Sequence, residues 1–250
     1  MEIRAFWTAG EFDPAAHQGW AVAVVDCLRA TTSVAAALAA GASGVVPVAE
    51  EEEARSWARE HDAVLAGERG CLPPPGFALG NSPDAFTPKL VRGRAVVLWT
   101  TNGSRALAWA RQTDGPLLAF ALVNVGAVAT HLRGSVRQLA IVCAGTDGQF
   151  SLEDTFAAGA LISRLGPHAP FALDERAQAA QLLYQGGRES VAELLATTRA
   201  AARLRAAGLA GDIAFAARTD ELDVVPLWRD GALRAKQDYD GDSPDPAIQA

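Results

Sequence analysis

Four carboxylates stand where short apolar runs give way to turns of small residues: Asp26, Glu68, Glu153 and Asp154. The most telling segment is Cys143-Ala144-Gly145-Thr146-Asp147-Gly148-Gln149-Phe150-Ser151-Leu152-Glu153-Asp154. One acid is enough to favour the positive end of a helix. Two acids, preceded by Ala144, Gly145 and Gly148, leave room for something to approach the backbone. A hard divalent cation, or an anion carried on one, suits such a place. Similar arrangements recur in Asp26-Cys27-Leu28-Arg29-Ala30-Thr31-Thr32-Ser33, in Gly67-Glu68-Arg69-Gly70 and in Thr100-Thr101-Asn102-Gly103-Ser104-Arg105.

Together these residues could handle an anion. Helix N-termini present free N–H groups, and the hydroxyls of Thr31, Thr32, Thr100, Thr101 and Ser104 add donors. Arg29, Arg69 and Arg105 could clamp phosphate or sulfonate oxygens in forked geometry. The four acids could hold Mg2+, with Asp26, Glu153 and Asp154 the preferred ligands, since Mg2+ takes one or two carboxylates and keeps several waters. Asp26, Glu68 and Glu153 are the candidates for attack or proton transfer, because no histidine falls in these loops. This is the outline of metal-assisted phosphate-ester hydrolysis. Each piece also has a plain structural reading. Threonines and serines cap helices, Asn102-Gly103 can be an ordinary turn, and arginines can be solvated charges. Their joint occurrence in four loops argues for a site.

The elements that must position these loops follow from apolar runs alternating with helical stretches. Strands are expected over residues 21–25, 45–49, 63–66, 94–99, 117–122 and 139–142, with helices over 31–40, 51–60 and 104–111. Uniformly apolar strands in such alternation indicate an α/β fold, with a largely parallel or mixed sheet covered by helices on both faces. Ligands then bind at the carboxyl ends of the strands, where the four loops lie. Residues 70–88 form a proline-rich loop, and a loop of that length is usually functional. Helices are expected over 172–184 and 191–207 within a helical subregion at 166–210, followed by an edge strand at 223–228 and a turn at Arg229-Asp230-Gly231. Residues 1–236 are read as one domain and 237–250 as an acidic tail.

Other chemistries are excluded by missing patterns. There is no G-x-x-x-x-G-K-[ST] loop, no G-x-G-x-x-G after a strand and no G-x-S-x-G elbow. Leu28 stands where aspartyl-nucleophile phosphatases place a second Asp, and Gln149 stands where a thiol phosphatase would need arginine. The formal net charge of −7 speaks against a general nucleic-acid binder. Half the residues are hydrophobic, so a substantial core is expected. The three cysteines show neither a disulfide framework nor metal-ligand spacing, which points to a reducing cytoplasm. No run has membrane-spanning length, and the N-terminal residues lack a signal-peptide apolar region.

Five separated blocks resemble the 2-phosphosulfolactate phosphatase family of Mg2+-dependent enzymes of coenzyme M biosynthesis. They are Val25-Asp26-Cys27-Leu28-Arg29-Ala30-Thr31-Thr32, Ala66-Gly67-Glu68-Arg69, Gly76-Phe77-Ala78-Leu79-Gly80-Asn81-Ser82-Pro83, Thr100-Thr101-Asn102-Gly103-Ser104, and Cys143-Ala144-Gly145 continuing to Glu153-Asp154. The resemblance implies a phosphomonoesterase acting on a small acid that carries phosphate and sulfonate. It also brings Asn81 and Ser82 near the site. Cys27 and Ser104 depart from the family's usual aliphatic residue and threonine. The alternatives are a phosphatase of a related 2-phospho-hydroxy acid, a phosphotransferase or mutase, and a non-catalytic protein that binds an anionic metabolite. The apolar helices after Leu165 could pack on the sheet or on a second subunit of a homo-oligomer.

Overall fold

Strand β2 (Ala21–Val25) sets the pattern of the core. Its alternate residues Ala21, Ala23 and Val25 enter one apolar cluster, while Val22 and Val24 enter the cluster on the opposite face. A strand buried on both faces in this way needs helices on each side. A computed structural model, which describes residues 1–166 and 172–236, supplies them. The acidic tail expected at 237–250, and His168, lie outside the described residues.

Along the chain run β1 (Glu2–Phe6), β2, α1 (Ala30–Ala39), β3 (Gly44–Val48), α2 (Glu51–Glu60), β4 (Val64–Gly67), α3 (Pro88–Val91), β5 (Ala95–Trp99) and α4 (Gly103–Ala110). There follow β6 (Leu117–Phe120), α5 (Val125–Leu132), β7 (Gln138–Cys143), α6 (Leu152–Leu165), β8 (Ala172–Leu173) and α7 (Glu175–Gly187). The last elements are α8 (Val191–Ala196), α9 (Arg199–Ala206), α10 (Ala210–Ala216), β9 (Pro226–Arg229) and β10 (Ala232–Ala235). Among the described residues the strands form one mixed sheet in the order β4-β5-β3-β10-β9-β6-β2-β7-β1-β8. Only β9 and β10 run antiparallel to their neighbours. Helices α5 and α6 cover one face, with α1 and α4 on the other.

The strand expected at the sheet's edge lies in its interior instead. β9 turns through Asp230 and Gly231, both at positive φ, into β10. This hairpin bridges β6 to β3 through the pairs Leu118↔Leu227 and Leu233↔Val45. Leu227 and Leu233 are buried, so the hairpin joins the two parallel arms rather than closing an edge. The edges are β4 and β8. Two helical expectations also shift. Residues 172–173 pair with β1 before α7 begins at Glu175, because the Asp174 side chain accepts from the Ala177 N–H and caps that helix. The expected helix at 191–207 breaks where Thr198 caps α9 in the same manner. No helix among the described residues is long and apolar enough to cross a membrane.

Register brings the strand exits into line. Val25 pairs with Cys143, so the residues following β2 and β7 emerge side by side, and the Ala144 N–H donates to the Val25 carbonyl at 2.8 Å. On the other arm Gly67 pairs with Trp99, which sets Glu68 beside Thr100. Gly103, at the start of α4, closes the space between the arms. A Cβ there would lie 2.3 Å from the Ala30 Cβ and 2.5 Å from Asp26 Oδ2, so only glycine lets α4 come this near.

Candidate active site

The exits of β2, β4, β5 and β7 surround one cavity of about 190 Å³. That size suits a metabolite of a few carbon atoms rather than a drug-sized ligand. Asp26, Glu68, Glu153 and Asp154 all line it, as do Arg29, Arg69, Asn81, Thr100, Thr101 and Asn102.

The acids are held differently. Asp154 is tied across two loops, its Oδ1 accepting from the Cys27 N–H at 2.8 Å and its Oδ2 from the Gly145 N–H at 3.1 Å. Gly145 sits at φ +71°, where the turn closes by reciprocal Thr146–Gln149 backbone bonds, and it brings its N–H to that carboxylate. Glu68 has both oxygens occupied: Oε1 accepts from the N–H and the hydroxyl of Thr101, each at 2.9 Å, and Oε2 from the Cys71 N–H at 2.9 Å. Asp26 accepts only a long bond, 3.3 Å, from the Ala30 N–H to Oδ1, and its Oδ2 carries no hydrogen bond from the described residues.

Electrostatics follow from that crowding. Burial raises the Asp26 pKa to about 7, helped by the negative charges of Glu68 and Glu153, while the Ala30 bond and the Arg29 charge oppose the rise. Burial likewise pushes Asp154 well above the usual carboxylate range, with Asp26 and Glu153 adding to it, and burial raises Glu153. Buried acids that cannot all ionise signal negative charge that the side chains around them leave uncompensated. Hard oxygen donors in such a field fit a divalent cation. They surround the cavity rather than converge, since among the described residues no three acid, His or Cys side chains form a ready cage. A cation that keeps several waters and takes oxygens from its substrate matches that arrangement.

The positive groups lie around this acidic wall. Arg29 is buried, its Nη1 donating to Asp212 Oδ2 at 2.7 Å and to Ser82 Oγ at 3.3 Å, and its Nη2 to the Cys71 carbonyl at 2.8 Å. The Leu28–Arg29 peptide is cis. Arg69 is exposed and lies over the Trp99 ring, 4.7 Å from its centroid. Arg203 of α9 also lines the cavity and bonds Asp147 Oδ2 at 2.6 Å. Asn81 is buried, and its Oδ1 has no hydrogen-bond partner among the described residues.

Several expected binding residues stand behind the cavity wall. The Thr31 hydroxyl donates to the Asp26 carbonyl and accepts from the Asp26 N–H, both at 2.9 Å, and the Thr32 hydroxyl donates to the Cys27 carbonyl at 2.7 Å. These bonds shape the loop that presents Asp26. Ser104 and Thr100 cap α4 by exchanging backbone-to-hydroxyl bonds of 2.9 Å. Ser82 bonds Asp212 at 2.9 Å, and Gly103 supplies space, as described above. Arg105 lies in a neighbouring groove that shares Thr101 and Asn102 with the cavity. Sequence reasoning missed Arg203, Asp212 and Cys71. Arg203 and Asp212 belong to helices far along the chain, and no local motif marks them.

A mixed sheet whose strand exits gather buried acids, an anchored arginine and an unpaired amide oxygen around one small cavity defines an α/β enzyme for a small anionic substrate. The chain belongs to the 2-phosphosulpholactate phosphatase family, whose model matches residues 8–231. A probable 2-phosphosulfolactate phosphatase of Caldanaerobacter subterraneus subsp. tengcongensis is 37% identical over 221 residues, covering 87% of this chain and 91% of that protein. One from Synechococcus sp. (strain JA-3-3Ab) is 40% identical over 90% of this chain and 95% of its own length. A third, from Deinococcus radiodurans, is 39% identical over 85% of this chain and 89% of its own length.

Proposed function

We propose that this protein hydrolyses 2-phosphosulfolactate to sulfolactate and inorganic phosphate with Mg2+ as its cation. The family match over residues 8–231 supports the reaction class. The observation that carries the site is the contrast among its acids: Glu68 and Asp154 have both oxygens tied by hydrogen bonds, whereas Asp26 keeps Oδ2 free of them and feels the charges of Glu68, Glu153 and Asp154. Among the donors present, Asp26 and Asp154 would hold the cation, which would supply charge neutralisation at the phosphate when bound, and Glu153 stays off it as a protonated acid.

The chain's own residues then divide the work. Asp26 Oδ2 takes a proton from the attacking water, and the water oxygen bonds to phosphorus in line with the ester oxygen. The bond between phosphorus and that ester oxygen breaks, its electron pair going to the oxygen on C2. Glu153 delivers a proton there, giving the alcohol. Arg29 and the NH2 group of the Asn81 amide donate to phosphate oxygens, while Thr100, Thr101 and Asn102 line the same cavity and orient the substrate. Glu68 braces the β4 and β5 exits through its three hydrogen bonds. The pathway implied by such a substrate is coenzyme M synthesis, and the three free cysteines agree with a reducing cytoplasm.

The test is phosphate release from 2-phosphosulfolactate and from 2-phospholactate, each with Mg2+ and with EDTA. Metal-dependent release favouring the sulfonate is the expected result. A preference for the carboxylate would keep the phosphatase and change its substrate. No release from either, with metal-dependent binding retained, would replace catalysis with metabolite binding.

A further inference from the structure

We infer that Asp212 is a positioning residue of this site, holding Arg29 as an anion receptor and, through Ser82, setting the segment that carries Asn81. The inference rests on the anion-binding reading of the cavity given above. Three parts of the chain that are distant in sequence meet at one guanidinium: Asp212 of α10, Ser82 of the proline-rich loop and the carbonyl of Cys71 after β4. Ser82 also donates to the same Asp212 oxygen at 2.9 Å, which closes a triangle of bonds around Oδ2. The ion pair is buried, with side-chain exposures of 3% for Arg29 and 7% for Asp212.

A buried pair of this kind is weak evidence for stability, because apolar residues of similar volume often serve as well. Its location suggests a different purpose. Arg29 faces a cavity with buried acids, and its charge reaches Asp26. Left to itself in that field, a guanidinium would swing onto the acids, neutralise them and occupy the cation's place. Asp212 draws it the other way. Two of the five guanidinium N–H groups go to Asp212 and Ser82 and one to the Cys71 carbonyl, which leaves two for a ligand. The same anchor reaches Asn81, whose carbonyl accepts from the Ser33 hydroxyl at 2.8 Å while its side-chain Oδ1 stays unpaired and buried. With its backbone fixed on both sides, that acceptor is held for a donor or a cation, beside the anion that Arg29 receives.

The sign of a charge-removing substitution separates positioning from bulk electrostatics. Asp212→Asn deletes a negative charge near the site, so long-range attraction alone would tighten anion binding. Positioning predicts the reverse. We expect inorganic phosphate, titrated calorimetrically into the Mg2+-loaded protein, to bind Asp212→Asn about tenfold more weakly than the unsubstituted chain, as for a lost charge-assisted contact. KM for 2-phosphosulfolactate should rise with it and kcat should change less. In an Arg29→Met background, Asp212→Asn should cause no further loss, because the two residues act through one group. Should Asp212→Asn fail to fold, Ser82→Ala removes one side of the triangle, and a smaller weakening in the same direction is expected. Unchanged or tighter phosphate binding in whichever variant folds, or an equal further loss in the Arg29→Met background, overturns the inference. If the unsubstituted chain binds phosphate yet releases none from 2-phosphosulfolactate, hydrolysis is lost as a reading while the titration still decides the role of Asp212.

Discussion

The exits of β2 and β4 begin alike and end in different work. Each places an acid one residue past a buried parallel strand, followed by an arginine within three residues. Glu68, after β4, accepts three hydrogen bonds that tie its own turn to the start of the β5 exit. Asp26, after β2, accepts one long bond and keeps an oxygen free in the cavity. Their arginines differ in the opposite sense, since Arg29 is buried and anchored while Arg69 is exposed over Trp99. Residue type and topological place therefore do not distinguish a brace from a reacting group. The hydrogen-bond inventory separates the two acids, and the reaction proposed above gives the reacting role to Asp26.

The largest effect that can break this comparison is on turnover. Asp26→Asn should lower kcat by about 10²- to 10⁴-fold, the range for loss of a positioned acid–base group. Its melting temperature should hold or rise, because a neutral amide replaces a buried charge. Phosphate release and thermal melting on the same preparation check both halves.

Glu68→Gln should show the converse. Its amide NH2 would face either the Cys71 N–H or the Thr101 donors, leaving donors opposed to donors at a buried place. A loss of about 1–3 kcal/mol in stability follows, readable by denaturant melts, with activity falling less than in Asp26→Asn. Equal collapse of turnover in both variants, with melting unchanged in both, would erase the distinction between brace and reacting group.

Gly103→Ala sharpens the comparison from outside the acids. The added methyl would meet Ala30 and Asp26 Oδ2 and must push the two arms apart. Overpacking of this kind costs about 1–3 kcal/mol, and here the displaced atom is the free carboxylate oxygen, so kcat should drop along with the melting temperature. A variant with lowered stability and full turnover would detach Asp26 Oδ2 from the chemistry.

Much of the β2 and β4 exits was legible in the sequence, because an apolar strand and the polar turn after it are neighbours in the chain. The pairing of strands was not. The run at 223–228 reads locally as an edge, yet its partners, β6 and β10, are fixed by contacts that no local pattern encodes. β1 went unread because Glu2–Phe6 mixes charge with apolar residues. The hydroxyls of Thr31, Thr32 and Ser104 were visible as donors, but their direction depends on which carbonyl or N–H the fold sets beside them. Arg203 reaches the cavity, and Asp212 reaches the Arg29 guanidinium, from short alanine-rich helices that carry no local motif.

The smallest expected effect concerns the rim, where Arg203 bonds Asp147 at 2.6 Å with both side chains about half exposed. The hydrogen bond from Arg203 holds the Asp147 carboxyl below its ordinary value. A group whose folded pKa is depressed contributes stability above its unfolded pKa of about 3.9, and that contribution disappears as pH falls through the folded value. Because the pair is exposed and screened by salt, Asp147→Asn should cost at most a few tenths of a kcal/mol at neutral pH. The difference from the unsubstituted chain should vanish in melts taken below that acid range, and it should shrink in high salt. Function asks a separate question of the same pair, because Arg203 lines the cavity and is set against Asp147 rather than buried by it. If Arg203 touches the substrate, Arg203→Ala raises KM while Asp147→Asn, which frees the guanidinium, leaves KM unchanged or lowers it. Parallel rises in KM for both variants would instead make the pair a brace of the rim, doing between α9 and the turn after β7 what Glu68 does between β4 and β5.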